Sequence, residues 1–229
     1  CSQSRGLGDV YKRQNNKEDA HEEPTIKRSR SHDYVSREVI NVRENVGLIE
    51  VANFSKHEFK GTDARKFLDH VMAGKLPKPG RISLSPMLSY RGKLCGDLTV
   101  ACFDENEFMV FGSGAAQEMH RRWFESHLDK FDVNYKNRSD EFHGISIAGP
   151  NSRKVLEKIV RDDVSNEKFK FRDSRRMFVG GVPAIINRIS FTGELGYEIY
   201  VAPHYQIKLY EELMDCLLYT SPSPRDWLQ

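Results

Sequence analysis

Cysteine is scarce in this chain, with four residues among 229. Two of them, Cys1 and Cys216, lie in terminal segments that are considered separately below. The other two, Cys95 and Cys102, have neither CxxC spacing nor neighbouring histidines, which a structural zinc site would need. So few cysteines argue against a disulfide-rich secreted scaffold, and the simplest prediction is a reduced intracellular protein.

Long apolar runs and a large excess of one charge are also absent. No stretch approaches the ~20 apolar residues that a helix needs to cross a bilayer, so we predict no membrane partner. The formal net charge is +2, which gives no electrostatic basis for a nucleic-acid partner. The short basic run at 27–30 is more typical of a solvated linker than of a binding patch. The histidines form no cluster with acids or cysteines, so no metal site is predicted.

The two ends of the chain are related to each other at the level of DNA. The reverse complement of a DNA sequence that encodes residues 4–14, read one base out of frame, encodes residues 216–226. This relation is typical of a sequencing-library adapter on both flanks of an insert. We therefore interpret residues 1–14 and 216–229 as adapter-derived tails and leave them out of the fold prediction.

The remaining residues fall into two parts. Residues 15–45 are polar and charged, which indicates a linker or lead-in. Residues 46–215 mix helical and strand patterns without strict alternation, and hairpins such as 82–88 with 93–103 favour antiparallel sheets. We therefore predict an α+β domain over 46–215, with antiparallel sheets flanked by helices, built as one unit or as two interleaved subdomains. Residues 56–60 are predicted as an edge strand that ends at Gly61.

Residues 188–200, RISFTGELGYEIY, place two acids, Glu194 and Glu198, beside aromatic residues. A carboxylate can accept two parallel hydrogen bonds from the N–H and NH₂ edge of a pterin or guanine. An aromatic ring such as Phe191 or Tyr197 can cover the face of the heterocycle. The pattern thus fits a reduced folate. A solvated hairpin on an antiparallel sheet has the same alternation, and the segment alone favours that simpler interpretation.

Four segments together carry a resemblance to a known family. They read SPMLSYRGKLCGDLTV at 85–100, FGSGAAQEMHRRWFE at 111–125, GISIAGPNSRKVLEKI at 144–159 and RISFTGELGYEIY at 188–200. In order and spacing, the chain resembles the folate-binding domain of the aminomethyltransferase (glycine cleavage T-protein) superfamily. The second and third segments are most similar to the version fused to an FAD-dependent dimethylglycine or sarcosine dehydrogenase. The resemblance implies a T-protein-like folate-binding fold that is C-terminally truncated here.

The resemblance also implies roles for five residues. Asp97 falls where the family has an acid beside the reactive N5 to N10 region of tetrahydrofolate, and Leu84 matches a position that lines the pterin pocket. Phe191 stands where many T-proteins have a tyrosine, so ring packing is kept and a hydroxyl contact is lost. Glu198 matches the acid that binds the pterin edge, with Glu194 as a second candidate nearby. The alternative for Asp97 is a purely structural role at the start of a strand.

The implied function is one-carbon transfer to tetrahydrofolate, which forms 5,10-methylenetetrahydrofolate. Oxidation of an N-methyl amine yields an iminium ion or formaldehyde, and N5 of tetrahydrofolate can capture either. A carboxylate at Asp97 could stabilise the cationic intermediate and relay a proton. FAD is expected only in an upstream flavin domain of the same parent chain, because no G-x-G-x-x-G follows a strand here. The fragment by itself should not act as an oxidoreductase. The implied location is the cytoplasm of a bacterium or the mitochondrial matrix of a eukaryote.

Two other functions fit the same resemblance. A free-standing glycine cleavage aminomethyltransferase would use a lipoyl carrier protein instead of a flavin domain. A non-catalytic regulatory or scaffold subunit of the same fold would need no acid for chemistry, and the presence of Asp97 and Glu198 speaks only weakly against it. Titration with tetrahydrofolate would separate a binder from a scaffold, and a flavin-binding region upstream of Asn15 would exclude the free-standing enzyme.

Overall fold

The computed structural model describes residues 26–28 and 32–218, and within them the chain forms five α-helices and ten β-strands. The helices are α1 (His32–Glu44), α2 (Ala64–Val71), α3 (Gln117–Glu125), α4 (Ser152–Ile159) and α5 (Gln206–Leu218). The strands are β1 (Gly47–Glu50), β2 (Ser55–Lys60), β3 (Arg81–Leu88), β4 (Leu94–Asp104), β5 (Glu107–Gly112), β6 (Asn134–Asn137), β7 (His143–Ala148), β8 (Ser174–Val179), β9 (Val182–Asn187) and β10 (Gly196–Val201). Most of the two predicted tails lies outside the described residues.

The ten strands form two five-stranded sheets. Sheet A has the strand order β1-β7-β10-β9-β8, and sheet B has the order β3-β4-β5-β2-β6. All neighbouring strands in both sheets are antiparallel. The predicted α+β class with antiparallel sheets flanked by helices is confirmed, and the predicted hairpin of β3 with β4 is present.

Each sheet packs its outer face against helices. Along α2, apolar residues such as Phe67 and Val71 recur at helical spacing and meet outward-facing residues of sheet B such as Val100, with α3 adding Phe124. The outer face of sheet A packs in the same way against α4 and α5. Each large apolar side chain that is fully buried contributes about 1.5–3 kcal/mol. These two cores, rather than local propensities, therefore hold the helices on the sheets.

The inner faces of the two sheets pack against each other. Because side chains alternate along a strand, residues next to the outward-facing ones point inward. The buried members of this inner core are Ile82, Ala101, Met109, Phe111, Ile185 and Tyr200. Phe111 of sheet B stacks on Tyr200 of sheet A, with 4.7 Å between the ring centroids. The order of layers is therefore helices, sheet A, sheet B, helices.

An ion pair also joins the two sheets. Arg176 on β8 donates to both carboxylate oxygens of Glu107 on β5, at 3.0 and 2.6 Å. The guanidinium of Arg176 also lies 4.1 Å from the centroid of the Phe103 ring. A bidentate pair of this kind fixes the orientation of both side chains, so it sets the relative position of β8 and β5.

We expect this ion pair to make part of the free energy of unfolding depend on pH. Hydrogen bonds from Arg176, assisted by Lys60, lower the pKa of Glu107 to about 2, below the ~4.3 of a glutamate in an unfolded chain. The stabilisation is therefore complete above about pH 4.3 and is lost as the pH falls through about 2. Because the Arg176 side chain is 50% exposed, screening limits the contribution to about 1 kcal/mol. Urea unfolding of the wild type and Glu107→Gln should show a smaller difference at pH 3 than at pH 7, whereas a constant difference would contradict this assignment.

Strand β2 corrects one prediction. Residues 56–60 were predicted as an edge strand, but β2 pairs with β5 on one side and with β6 on the other. The prediction is wrong because β6 comes from a distant part of the chain, and the lysines and glutamate of β2 give no sign of that partner. One consequence is that Lys56, a residue typical of exposed edges, is fully buried.

Helix α5 crosses the boundary at 215 that was drawn from the sequence, and helix α1 ends just before the boundary at 45. Helix α1 lies within the range predicted as a polar linker, and Asn41 on it donates from Nδ2 to the carbonyl oxygen of Val46 at 2.9 Å. Helix α5 continues to Leu218, so that Cys216 and Leu217 pack against the core of sheet A. The boundaries at 45 and 215 stay predictions, and both helices contact the domain that the boundaries enclose.

Candidate functional site

Asp97 lies on sheet B and Glu198 lies on sheet A, and each of them is on the face of its sheet that is turned toward the other sheet. On β4, Ala101 belongs to the core between the sheets, and Asp97 is four residues away along the strand, so it shares that face. On β10, Tyr200 belongs to the same core, and Glu198 is two residues away. The two carboxylates therefore project from the facing surfaces of sheet B and sheet A.

Leu84 lies beside Asp97 on sheet B. The register of β3 and β4 pairs Leu84 with Thr99 and Pro86 with Asp97, which makes Leu84 and Asp97 diagonal neighbours on one face. Leu84 is 67% exposed, and Asp97 is also exposed. This part of sheet B therefore presents an uncovered apolar side chain next to an ionisable group.

Glu198 is buried and receives one hydrogen bond from a neighbouring tyrosine. Glu198 is 8% exposed, and the hydroxyl of Tyr200 donates to its Oε2 at 2.8 Å. Burial raises the pKa of Glu198, whereas the hydrogen bond from Tyr200 stabilises the anion and opposes that rise. Within the described residues no other donor bonds to this carboxylate, which can accept about four hydrogen bonds. Most of its capacity is therefore open to a ligand.

A row of buried polar residues crosses sheet A at Glu198. Ser146 on β7 and Asn187 on β9 are its partners in register, and Ser174 on β8 pairs with Asn187. The hydroxyl of Ser174 donates to Oδ1 of Asn187 at 2.7 Å, while Nδ2 of Asn187 has no hydrogen-bond partner among the described residues. Buried polar groups normally have partners. This row therefore makes the surface around Glu198 polar, in contrast to the apolar inner core beside it.

Lys56 brings a positive charge close to this row. Its Nζ donates to the carbonyl oxygen of Ala52 at 2.7 Å and lies 5.8 Å from the centroid of the Tyr200 ring. Burial lowers the pKa of Lys56 to about 8, and the charge of Asp140 offsets part of this effect. The ammonium group is still mostly protonated at pH 7. A cation thus lies on one side of the tyrosine that binds Glu198.

Sequence reasoning did not identify Tyr200 or Lys56 as parts of this site. The alternation that turns Glu198 inward also turns Tyr200 inward, so a signal for the tyrosine was available two residues along the strand. Nothing in the sequence distinguishes Lys56 from a surface lysine. Its burial depends on the pairing of β2 with β6 and on the packing of the two sheets.

The loop between β9 and β10 carries the other two candidate residues. Phe191 is 98% exposed, and Glu194 is half-buried. Gly193 between them has a φ of +80°, a conformation that favours glycine. The structure thus brings Leu84, Asp97 and Glu198 to facing sheet surfaces and leaves Phe191 and Glu194 on the loop that leads into β10.

No helix in the described part of the chain is long and apolar enough to cross a membrane. The described residues also contain no group of three histidine, cysteine, aspartate or glutamate side chains that could hold a metal ion.

The chain is similar in sequence to a dimethylglycine dehydrogenase, to aminomethyltransferases and to a sarcosine oxidase subunit. Mitochondrial dimethylglycine dehydrogenase from Mus musculus is 35% identical over 200 residues, which is 86% of this chain and 23% of that protein. An aminomethyltransferase from Thermoanaerobacter pseudethanolicus is 28% identical over 177 residues, 76% of this chain and 48% of that protein. Sarcosine oxidase subunit alpha from Rhizobium meliloti is 35% identical over 193 residues, 80% of this chain and 19% of that protein. The chain thus spans between about a fifth and about a half of these relatives.

Solved structures share the architecture, and a family match assigns the chain. Aminomethyltransferase T of the glycine cleavage system from Bartonella henselae has a TM-score of 0.69 at 20% identity, over 78% of this chain and 48% of that one. A chain of heterotetrameric sarcosine oxidase from Corynebacterium sp. U-96 has a TM-score of 0.63 at 16% identity, over 87% of this chain and 98% of that one. These likenesses confirm the T-protein-like fold. The GCVT N-terminal domain family matches residues 8–216, and the chain therefore belongs to this family of aminomethyltransferase-type domains.

Proposed function

We propose that this chain binds tetrahydrofolate between its two sheets and converts a one-carbon unit to 5,10-methylenetetrahydrofolate. It would do so as the folate-binding part of a dimethylglycine or sarcosine dehydrogenase-like enzyme. The observation that carries the proposal is the position of Asp97 and Glu198 on facing sheet surfaces, one carboxylate exposed and the other buried.

Glu198 would bind the pterin edge. A buried carboxylate that faces a flat N–H and NH₂ edge can form two parallel charge-assisted hydrogen bonds, each worth about 1.5–3 kcal/mol. Tyr200 orients the carboxylate through the bond to Oε2 and leaves the remaining acceptor positions for the ligand. Leu84, exposed on the opposite sheet, and Phe191, exposed on the adjacent loop, would cover the faces of the ring.

Asp97 would act on the reacting nitrogen atoms. Capture of an iminium ion or formaldehyde by N5 and closure of the ring through N10 require N5 and N10 each to lose a proton. With formaldehyde, both protons leave in the water that departs; with an iminium ion, one leaves with the departing amine and the other is released to a base. An ionised carboxylate in this position stabilises the positive charge that develops and can accept the proton. Its exposure on β4 lets it reach the ligand without a change in the fold.

The sequence comparisons favour the dehydrogenase form over the free-standing aminomethyltransferase. Mouse dimethylglycine dehydrogenase is matched at 35% identity over 86% of this chain, and the bacterial aminomethyltransferase at 28% over 76%. In that form a flavin domain of the same parent chain would hold FAD and supply the one-carbon unit. The mouse relative is named as mitochondrial, so a eukaryotic source would place this protein in the mitochondrial matrix.

Calorimetric titration of the chain with tetrahydrofolate tests the proposal. We expect saturable binding with one site. Phe191→Ala should weaken it by about 2- to 10-fold, because an aromatic contact contributes about 0.5–1.5 kcal/mol. The melting temperature of this variant should not change, since Phe191 is 98% exposed and packs against little of the protein. A chain that binds no tetrahydrofolate would instead support a regulatory or scaffold role.

A further inference from the structure

We propose that His120 is a positioning residue for Asp97, because it holds the irregular part of β4 from which Asp97 projects. The inference rests on the role of Asp97 proposed above. It assigns a function to a buried histidine on α3 that lies on the far side of sheet B from the candidate ligand surface.

Strand β4 has a β-bulge next to Asp97. The register runs from Pro86 opposite Asp97 to Met87 opposite Gly96, and then Leu88 lies opposite Leu94. Cys95 is therefore an extra residue on β4, without a partner of its own on β3. Bulges bend a strand and change the direction of nearby side chains, and they are frequent beside active sites.

Among the described residues, no strand pairs with this part of β4 on its other side. Pairing between β4 and β5 begins at Thr99 opposite Phe111 and continues away from Asp97. Within the described part of the chain, β3 is thus the one strand that pairs with residues 94–97, and its ladder with β4 is interrupted at the bulge. Something other than a strand must fix this segment if Asp97 is to keep one orientation.

His120 contacts this segment from the outer side of sheet B. Its Nε2 lies 3.3 Å from the carbonyl oxygen of Cys95, the bulged residue. The ring also lies directly against two glycines, since a Cβ on Gly96 would be 2.7 Å from Nε2 and a Cβ on Gly112 would be 3.1 Å from Nδ1. His120 is 1% exposed. Helix α3 therefore reaches the backbone of β4 only because these two residues have no side chain.

His120 also contacts β2. Burial lowers the pKa of His120, and the hydrogen bond to the Cys95 carbonyl opposes this change. Because a carbonyl oxygen can only accept, Nε2 is the donor in that bond. His57 meets the ring of His120 edge to face with 6.2 Å between the ring centroids, and Nδ1 of His57 lies 2.8 Å from the hydroxyl of Tyr135. These contacts connect β6 and β2 to the bulge, so the position of Asp97 depends on packing on the outer side of sheet B.

The test compares His120→Phe, which keeps a ring but loses the donor, with His120→Gln, whose amide can donate to the Cys95 carbonyl. Loss of the donor should lower the rate of one-carbon transfer about 10- to 100-fold, because small misplacements of a catalytic group have effects of this size. The Gln variant should recover most of the rate. Both should bind tetrahydrofolate with a Kd within about twofold of the wild type, because Glu198 is on the other sheet. His70→Phe, a change of an exposed histidine on α2, is the matched control.

Two further measurements separate positioning from a general effect on stability. In an Asp97→Asn background, His120→Phe should cause no additional loss of rate, because the group that it positions is already inactive. Backbone amide exchange at 95–97 should be faster in His120→Phe than in the wild type and in His70→Phe. Unchanged exchange, or a full rate in His120→Phe while Asp97→Asn is impaired, would overturn this inference. An unimpaired Asp97→Asn would instead overturn the proposed function, and the exchange would still decide whether His120 holds the bulge.

Discussion

Replacing Asp97 with Asn should lower the rate of one-carbon transfer about 10²- to 10⁴-fold while leaving the Kd for tetrahydrofolate within a few-fold of the wild type. Asn has the same shape as Asp, but it carries no charge to stabilise a cationic intermediate and cannot accept a proton at neutral pH. Asp97 is exposed on β4, so the substitution should not disturb the fold. The measurement is a rapid-quench assay of 5,10-methylenetetrahydrofolate, taken above the uncatalysed reaction of formaldehyde with tetrahydrofolate.

The control for this prediction is a second exposed aspartate. Asp69→Asn makes the same chemical change on α2, a helix on the outer face of sheet B. Its rate should equal that of the wild type. If Asp97→Asn and Asp69→Asn are both as fast as the wild type, Asp97 has a structural role at most, and the alternative interpretation of this residue is correct.

The sequence predicts local pairings well because their determinants lie close together in the chain. The hairpin of β3 and β4 follows from two strand-type runs around a turn at 90–92, where Gly92 adopts a φ of +71° that favours glycine. The hairpin of β9 and β10 follows in the same way from the runs on either side of Gly193. In each case the alternation of apolar residues and the turn indicate the same pairing of strands, although the register of β3 and β4 shifts at the bulge beside their turn.

Pairings between distant segments could not be predicted from pattern alone. Strand β2 was predicted as an edge strand, yet β6 pairs with it, and β1 pairs with β7 across about a hundred residues of chain. The partner of a strand is set by which segment completes the packed core, and one sequence does not show this. The burial of Lys56 beside Tyr200 of the other sheet and the contact of His120 on α3 with the β4 bulge are likewise contacts between distant segments.

The same distinction between local features, which the sequence predicts, and contacts between distant segments, which it does not, applies to the candidate site. Strand alternation predicts that Glu198 and Tyr200 share a face, and the family resemblance gives Asp97 and Glu198 their expected roles. That the two acids lie on facing sheet surfaces depends on how sheet A packs on sheet B, through contacts such as the stacking of Phe111 on Tyr200. Their roles in binding and catalysis stay predictions that only variants can test.

Replacing Glu198 with Gln should weaken tetrahydrofolate binding about 10- to 100-fold, which corresponds to about 1.4–2.8 kcal/mol. The loss is this large because a charge-assisted acceptor becomes a neutral amide, whose NH₂ group would oppose the donors of the pterin edge. Glu194→Gln is the matched control, since Glu194 lies four residues earlier in a half-buried loop position. It should bind within about threefold of the wild type. If Glu194→Gln weakens binding strongly and Glu198→Gln does not, Glu194 is the acid that binds the pterin.

The pH dependence of binding separates a charged Glu198 from a merely polar one. Burial raises the pKa of Glu198, and if the ligand requires the anion, affinity is complete above that pKa and falls as the pH drops through it. Glu198→Gln should show no such fall over the same range. Tyr200→Phe removes the hydroxyl that stabilises the anion, so the pKa should rise further and the fall in affinity should begin at a higher pH. Calorimetry at a series of pH values measures this shift, and a midpoint that is the same with and without the hydroxyl would show that ionisation of Glu198 does not control binding.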